Sequence, residues 1–555
     1  MLSLFKNGAG LFKKKQEDIL SAAFVIAFSV LLSKVLGLIR LRLLASYFGG
    51  DIKLLDSFIA ASVLPDAIFE VLIFGTIALA FIPVFSQYLS QDKLQKAWNL
   101  TSKMISLGLL IFVVFTIIVF IFANKIAPII APGVVSDFPT AQTLISRLLR
   151  IMIFAQLFFV VSIFITGILQ SFQRFLIPAI ASVFYNIGII MSIIFLAPVL
   201  GIYAPAVGMI IGALLHLVIQ LPLALSLGFR FKPDIDFKSR DVREMFSLMW
   251  PRTISLAVLR ISDIINIALA SLAAAGTIVA FNFAQVLQFV PVSLFAGSLA
   301  QAALPSLSIE FNAKRYDQFK KIFTESFHQI LFLVMPAAAI LAILRIPVVR
   351  LVFGAREFPW EITVLTGRTL IAFSVGIAAQ AVSLLLLRGF HSIRDSFTPV
   401  KVNVTTVLLN ITLSLIFIKV LHLSVIYLAI AYSIGNLLNA SIMLFLLNRK
   451  VIFNKKELLL PVMKMLFISM LTAISLYVPM KLLDQLVFDT TKTIGLILLT
   501  GTATIVGLAV YIFLSWVLKV KEVVIFYNLG KRVMSLPTKL TNPAPTSIEA
   551  QEPNP

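Results

Sequence analysis

The chain has 555 residues, of which 60% are hydrophobic and only 13% charged, whereas an ordinary soluble domain has about 25% charged residues. So much apolar surface excludes a soluble protein and predicts an integral membrane protein, and the absence of Cys excludes disulfides, thiolate metal sites and a Cys nucleophile. The net charge of +21 is interpreted as basic cytoplasmic loops beside anionic lipid, rather than as a nucleic-acid-binding surface.

Apolar stretches long enough to cross a bilayer recur along the chain. A transmembrane helix needs about 20 apolar residues, and by that rule we predict an all-α fold with about 14 spans. Their approximate centres are Phe28, Phe69, Val113, Phe158, Ile187, Ile211, Leu259, Pro291, Leu333, Val375, Leu408, Ala431, Met470 and Gly501. We expect interruptions in the second span, at Pro65 and Gly75, and in the eighth, at Pro291 and Gly297. Interrupted helices tend to line cavities, and a simple packing kink is the alternative.

The two halves of the chain repeat each other in the same direction, at an offset of about 220 residues. ASYFGG at Ala45 corresponds to ASLAAAG at Ala270, and GILQSFQRFLIPAIASVFYNIG resembles LLRGFHSIRDSFTPVKVNVTTVLLNI. Such repeats predict two pseudo-symmetric six-helix bundles around a central cavity. The predicted division is a basic cytoplasmic N-terminus (1–18), an N-terminal bundle (19–229), a basic cytoplasmic linker (230–243), a C-terminal bundle (244–448), an extra transmembrane hairpin (458–518) and a disordered tail (533–555).

Basic residues are concentrated in loops that fall on one side of the membrane if the spans are counted correctly. They include Lys13 to Lys15, Arg230 to Arg243, Lys314 to Lys321, Arg449 to Lys456 and Lys519 to Arg532. The loops between them, such as Gly201–Tyr203, contain few Lys or Arg. Both termini are therefore predicted to be cytoplasmic.

No catalytic or metal-binding signature is present. The chain has no GxxxxGK[ST], HExxH, GxSxG or kinase motif, and its four His are scattered. We therefore predict no catalytic residue and no metal site, because metal ligands need closer spacings.

A few ionisable residues lie deep within the predicted spans, where each costs about 3 kcal/mol on insertion scales and is a functional candidate. Lys34 and Arg40 lie in the first span, about 9 Å apart along a helix. Arg260 lies in the seventh span, with Arg252 nearer its cytoplasmic end. Cations spread along a cavity wall favour an anionic substrate, especially a diphosphate.

Acidic residues accompany these cations. Glu70 lies in the middle of the second span, and Asp263 follows Arg260 at i+3 on the same helix face. That pair either handles an ion or substrate in a wet cavity or only steadies the packing. Asp56 and Asp66 flank the opening of the second span, and we interpret Asp66 as a helix cap or a snorkelling side chain.

Several segments resemble one transporter family. SKVLGLIR, ASYFGG, LLDSFIAASVLPD and AFIPVFSQYL, followed by ISDIINIALASLAAAGT, QAALPSLS and RGFHSIRDSFTPVKV, resemble the murein lipid II flippase family (MurJ/MviN) of the multidrug/oligosaccharidyl-lipid/polysaccharide flippase superfamily. The resemblance implies that the protein is a transporter and not an enzyme. Such a transporter moves an undecaprenyl-diphosphate-linked peptidoglycan precursor across the bacterial cytoplasmic membrane by alternating access. It also implies a cationic central cavity. By motif, the family's first-helix cations fall on Lys34 and Arg40, and the acid of its TDAF-like segment falls on Asp56.

The chain departs from the family pattern at several cavity positions. Leu41 stands where the family has Asp, Phe69 and Glu70 stand where it has paired Arg, and Val286 stands where it has another Arg. Our hypothesis is that Arg252 and Arg260 restore positive charge from the seventh helix. The predicted residues for binding a diphosphate headgroup are Lys34, Arg40, Arg252 and Arg260, and the predicted coupling or cavity acids are Asp56, Glu70 and Asp263.

Other functions remain open at this point. The alternatives are a flippase for another polyprenyl-diphosphate-linked glycan, such as a capsule or O-antigen unit, and a membrane scaffold that no longer transports. Lys34, Arg40 and Arg260 argue against a cation-coupled multidrug exporter. We expect a lipid-linked anionic glycan and membrane lipids as partners, no nucleic acid and no cofactor, with coupling to an ion or to the membrane potential. A monomer is the simplest oligomeric state.

Overall fold

The computed structural model describes residues 19–72, 81–354, 357–490 and 492–524. Within these ranges the chain is helical and contains no strand. The predicted N-terminal segment 1–18 and the tail 533–555 lie outside the described residues, as does Gly75.

The α-helices of the described ranges are numbered in chain order. They are α1 (Ile19–Phe48), α2 (Ile52–Leu72), α3 (Ile82–Ser90), α4 (Leu94–Ile130), α5 (Pro132–Asp137), α6 (Ala141–Ile153), α7 (Ala155–Ser171), α8 (Leu176–Leu200), α9 (Tyr203–Val218), α10 (Leu221–Ser226), α11 (Arg240–Ser271), α12 (Thr277–Pro291), α13 (Gly297–Asn312), α14 (Tyr316–Ile343), α15 (Arg345–Phe353), α16 (Trp360–Ser392), α17 (Phe397–Leu415), α18 (Ile426–Val451), α19 (Lys455–Leu486) and α20 (Thr493–Val517). π-helical turns follow α12 at Val292–Ala296 and α17 at Ile416–Val420.

This architecture confirms the all-α membrane fold. Each predicted span centre lies within a helix. In the described ranges, 11 helical segments are long and apolar enough to cross a membrane. Together with α1, α2 and α11, that number is consistent with about 14 spans. Helices are the result expected for such a sequence, because lipid offers no hydrogen-bonding partner to an exposed backbone.

The two predicted helix interruptions have different outcomes. Pro65 lies inside the continuous helix α2, so it does not interrupt the second span, and the prediction at this residue is wrong. Buried Gln156 of α7 donates a hydrogen bond to the Pro65 carbonyl at 3.1 Å, which fixes α2 to α7 at this residue. Pro291 is the last residue of α12, and the π-helical turn separates it from Gly297 at the start of α13, so the eighth span changes from α- to π-helical geometry there but remains one helical segment, Thr277–Asn312.

The two halves of the chain share a hydrophobic core at one end of the molecule. This core includes Leu44, Leu55, Ile130, Ile278 and Phe353, which lie at the ends of helices or in short helices near the loops 49–51 and 272–276. We call this end the sealed end. A common apolar core between two membrane bundles excludes water from that end of the interface between them.

At the opposite end the two halves have separate cores within the described residues. One cluster is built from the first half and the start of α11, and it contains Phe85, Trp98 and Phe229. Another is built from the second half and the last helices, and it contains Phe319 and Phe453. We call this the basic end, because the loops around Arg230, Lys314, Lys450 and Lys455 lie here. The halves are therefore joined at the sealed end and separated at the basic end.

An ion pair fixes the loop between α16 and α17 at the basic end. Lys450 of α18 pairs with Asp395 in this loop. Partial burial acts to raise the pKa of Asp395, but the hydrogen bonds from Lys450 and Thr398 outweigh it and lower that pKa to about 2. Asp395 therefore stays ionised at neutral pH.

The helices α19 and α20 pack on the second half. Met465 of α19 and Tyr511 of α20 belong to the same core cluster as Phe332 of α14, and the Tyr511 hydroxyl donates to the Phe332 carbonyl at 3.0 Å. The division of the chain into two bundles and an added hairpin stays a prediction.

Close packing of α8 against α9 depends on glycine. A Cβ atom added at Gly212 would lie 2.5 Å from the Tyr185 carbonyl oxygen, whereas one added at Gly501 of α20 would meet no atom within 4 Å. We expect Gly212→Ala to lower the unfolding temperature, because overpacking costs about 1–3 kcal/mol. Thermal unfolding of the purified protein in detergent measures this, with Gly501→Ala as the matched control. Equal unfolding temperatures for the two variants would contradict the prediction.

Candidate functional site

The centre of the site is an ion triad that joins the two halves of the chain. Arg260 of α11 pairs with Asp263 one turn further along the same helix, at 2.8 Å, and with Glu70 of α2 in the other half. The side chains of Arg260, Glu70 and Asp263 are 33%, 38% and 29% exposed, respectively. Charges facing lipid at this depth would be costly. We conclude that the triad faces a hydrated chamber between the halves.

The first-helix cations lie beside this triad. The Lys34 ammonium lies 5.5 Å from the centroid of the Phe289 ring, which belongs to α12 in the other half, and it also interacts electrostatically with Glu70. The Arg40 guanidinium lies beside the Tyr185 hydroxyl and within electrostatic range of Asp66. The structure thus brings Lys34, Arg40 and Arg260 together, whereas the side chain of Arg252 lies outside the described residues.

One acid of the chamber was assigned incorrectly by the sequence analysis. Asp66 lies inside α2 rather than at a helix end, so its interpretation as a helix cap is wrong. It is exposed and lies within electrostatic range of Arg40 and Arg260. A signal was available, because Asp66 and Glu70 have the i,i+4 spacing that places two side chains on one helix face.

Neutral polar side chains that sequence analysis also missed complete the chamber wall. Gln285 of α12 donates to Asp263 at 3.4 Å, and Gln380 donates to the Tyr432 hydroxyl at 3.0 Å. Tyr432 interacts electrostatically with Asp263 and Arg260. These residues come from three further helices, so no local pattern in the sequence connects them with Arg260.

The charges of the chamber balance. Its cations in the described part of the chain are Lys34, Arg40 and Arg260, and its acids are Asp66, Glu70 and Asp263. Within the described ranges, no group of three or more His, Asp or Glu is placed to hold a metal ion. Glu70 and Asp263 pair with Arg260, so an incoming anion has to compete with carboxylates that are already present.

Asp56 lies outside this chamber, at the sealed end. It is ten residues before Asp66, or about 15 Å along the helix. Its side chain is 1% exposed, and its carboxylate accepts hydrogen bonds from the backbone N–H groups of Gly276 at 2.5 Å and Val279 at 2.9 Å. These donors lie at the beginning of α12, where a helix has free N–H groups and favours negative charge. Asp56 of one half thus caps a helix of the other half.

Two more polar contacts join the halves at the sealed end. The Gly133 N–H donates to the Ser271 hydroxyl at 3.0 Å, and the Arg42 guanidinium donates to the Leu351 carbonyl. Each contact satisfies a backbone group at a helix end or in a short helix. Together with the shared apolar core, they hold this end of the chamber closed.

We expect Asp56→Ala to loosen the sealed end. The variant removes two hydrogen bonds to a charged acceptor, each worth about 1.5–3 kcal/mol. Hydrogen–deuterium exchange of a peptide spanning residues 275–280 should become about tenfold faster or more. Asp51→Ala is the matched control, because Asp51 accepts from Lys53 and Leu54 within its own half. Unchanged exchange in Asp56→Ala would show that this contact does not hold the halves together.

Sequence and structure comparisons agree on the family. The family model described as "Lipid II flippase MurJ" matches residues 44–494. A probable lipid II flippase MurJ from Buchnera aphidicola subsp. Baizongia pistaciae is 26% identical over 436 residues, covering 78% of this chain and 83% of the relative. The lipid II flippase MurJ of Burkholderia cenocepacia is 25% identical over 443 residues, covering 78% of this chain and 84% of the relative.

Solved structures show the same fold. A lipid II flippase MurJ in an inward closed conformation superposes with a TM-score of 0.74 at 23% identity, covering 89% of this chain and 98% of that chain. An inward-facing multidrug resistance MATE family transporter of the MOP superfamily gives a TM-score of 0.64 at 14% identity, covering 76% of this chain and 94% of that chain. With most of its length matched by the family model, the chain belongs to the lipid II flippase MurJ family.

Proposed function

We propose that this protein is a lipid II flippase, which moves the undecaprenyl-diphosphate-linked peptidoglycan precursor across the bacterial cytoplasmic membrane by alternating access. Family membership supports the assignment. The observation that carries it is the meeting of Lys34 and Arg40 from one half with Arg260 from the other half at one hydrated chamber. A chamber between two bundles is where transporters of this architecture hold their substrate.

The cations suit the diphosphate of the precursor. Guanidinium groups bind phosphate through paired, charge-assisted hydrogen bonds, and the Lys34 ammonium adds a mobile point charge. The glycan headgroup would occupy the chamber while the lipid chain stays in the bilayer. Lys34, Arg40 and Arg260 are therefore the substrate-binding residues of the proposal, with Arg252 as a further candidate.

The structure corresponds in this proposal to the state that receives substrate from the cytoplasm. The basic end carries the loops rich in Lys and Arg, and such loops are preferentially cytoplasmic. The halves are separated at that end and joined at the other. Both termini would lie in the cytoplasm, and the sealed end would face the outside.

Transport against a gradient needs a driving force. We propose coupling to an ion or to the membrane potential, because moving one charge through 100 mV is worth about 2.3 kcal/mol. Glu70 and Asp263 are the candidate coupling acids in the chamber. The proposal includes no cofactor and treats the protein as a monomer.

Rescue of a bacterial strain depleted of its own lipid II flippase tests the function. We expect this chain to restore growth and to move fluorescent lipid II across the membrane of reconstituted vesicles. Glu310→Gln, which alters a side chain at the basic end, should behave as the unmodified protein. Normal membrane insertion without rescue and without movement of lipid II would reject the proposal.

A second candidate is a flippase for another polyprenyl-diphosphate-linked glycan, such as a capsule or O-antigen unit. Glu70 and Val286 favour it, since they stand where the resemblance implies arginines. Failure of the lipid II assay with export of such a glycan would support this candidate. Failure of both assays would favour a membrane scaffold that does not transport.

A further inference from the structure

Arg260 is held by two carboxylates of different origin. Asp263 lies on its own helix at i+3, and Glu70 comes from the opposite half of the chain. The second contact ties α2 to α11 at the middle of the chamber, away from the contacts of the sealed end. The pair therefore lies where the substrate's headgroup must enter.

The two carboxylates differ in how firmly they are held. Asp263 also accepts a hydrogen bond from Gln285, and its position is fixed by its own helix relative to Arg260. Its side chain is 29% exposed, whereas that of Glu70 is 38% exposed. Among the described residues, no neutral side chain donates a hydrogen bond to Glu70. Glu70 is thus the partner that an incoming anion would displace.

A carboxylate and a pair of phosphate oxygens bind a guanidinium group in the same geometry. Both accept two parallel N–H···O bonds from the planar fork of an arginine. Arg260 uses Nη2 for Glu70 and Nη1 for Asp263, so a diphosphate that binds both nitrogens or Nη2 alone has to displace Glu70. Glu70 also stands where the family resemblance implies a cation, so this chain places an anion at that position.

We propose that Glu70 is an internal competitor for the substrate's diphosphate. It occupies Arg260 in the empty chamber and gives up this contact when a phosphoryl group binds. Asp263 stays on Arg260 and keeps its guanidinium oriented. Substrate binding then breaks the Arg260–Glu70 ion pair between α2 and α11. The two halves can therefore move relative to each other more easily when substrate is bound. This inference rests on the proposed function, because it requires a substrate that contains phosphate.

Binding of farnesyl diphosphate to the purified full-length protein in detergent, measured by calorimetry, tests the competition. We expect Glu70→Gln, which keeps the shape and removes the charge, to lower the Kd by about tenfold. Arg260→Gln should raise the Kd by a similar factor. The double variant should bind as weakly as Arg260→Gln alone, since Glu70 acts through Arg260. Glu310→Gln, which removes an acid paired with Arg315 outside the chamber, should leave the Kd unchanged.

The outcomes separate the two proposals. If the unmodified protein binds and Glu70→Gln binds no more tightly, the competition is rejected while the proposed function stands. The competition is also rejected if Glu70→Gln tightens binding equally when Arg260 is already Gln, because general electrostatics would then explain the gain. If neither the unmodified protein nor Glu70→Gln binds the diphosphate, both proposals fail.

Discussion

Cysteines introduced together at Gly50 and Glu357 are expected to form a disulfide that stops transport. Gly50 follows α1 in the first half, and Glu357 precedes α16 in the second half. A Cβ atom added at Gly50 lies 3.8 Å from the Cβ of Glu357, and about 3.8 Å is the mean distance in disulfides. The bond would fix the two halves at the sealed end, which has to open before the headgroup can leave on that side.

The composition of the chain suits this cross-linking experiment. It contains no Cys, so cross-linked protein can arise only from the introduced pair. Transport of fluorescent lipid II in vesicles should fall to the level of empty vesicles after oxidation and recover when a reductant is added. The Gly50→Cys and Glu357→Cys single variants are the controls and should transport under both conditions. Undiminished transport by fully cross-linked protein would refute opening at the sealed end.

Reversing the charge of Arg260 is expected to reduce lipid II transport strongly. Arg260→Glu leaves Lys34 and Arg40 facing four carboxylates, and it removes hydrogen bonds to a charged partner that are worth about 1.5–3 kcal/mol each. We expect lipid II transport to fall by roughly 100-fold, since each 1.4 kcal/mol is a factor of about ten. The vesicle assay measures this directly, with the amount of inserted protein determined in parallel.

Matched variants show whether the effect depends on the ion triad. Arg260→Lys keeps the charge but loses the planar fork, so it should retain part of the activity. Combining Arg260→Glu with Glu70→Arg restores an ion pair between α2 and α11 and should recover part of what Arg260→Glu loses. Arg315→Glu makes the same reversal at the basic end, where Arg315 pairs with Glu310, and should have little effect. Equal loss in Arg260→Glu and Arg315→Glu would mean that the position of the charge is unimportant.

The sequence was sufficient to predict the helices and the depth of the charges, for a simple physical reason. An apolar run of about 20 residues must cross the bilayer, so the position of Lys34, Glu70 or Arg260 within its run determines its depth. The direction in which the side chain points around the helix is much harder to predict. Membrane helices are apolar on most of their circumference, and packing with neighbours decides which face lies inside.

Contacts between distant parts of the chain account for most of what sequence analysis could not predict. Glu70 and Arg260 meet only because α2 and α11 pack across the chamber. Asp56 was grouped with the chamber acids because the acid of the family's TDAF-like segment falls on it, while its actual partners are the N–H groups of Gly276 and Val279. The family resemblance implied a cationic cavity, but the balance of charges became visible only when the acids and cations were placed together.

The unequal cores at the two ends constrain the thermodynamics of the transport cycle. Separating the halves at the sealed end would expose apolar side chains such as Leu55 and Ile278, which are now fully buried, and exposed apolar area costs about 25 cal/mol per Å². A state that is open at the sealed end can be populated only if new apolar contacts form elsewhere at the same time. The separate clusters at the basic end are the surfaces that can form such contacts. Each half-cycle must therefore replace one apolar interface between the halves by another of nearly equal free energy.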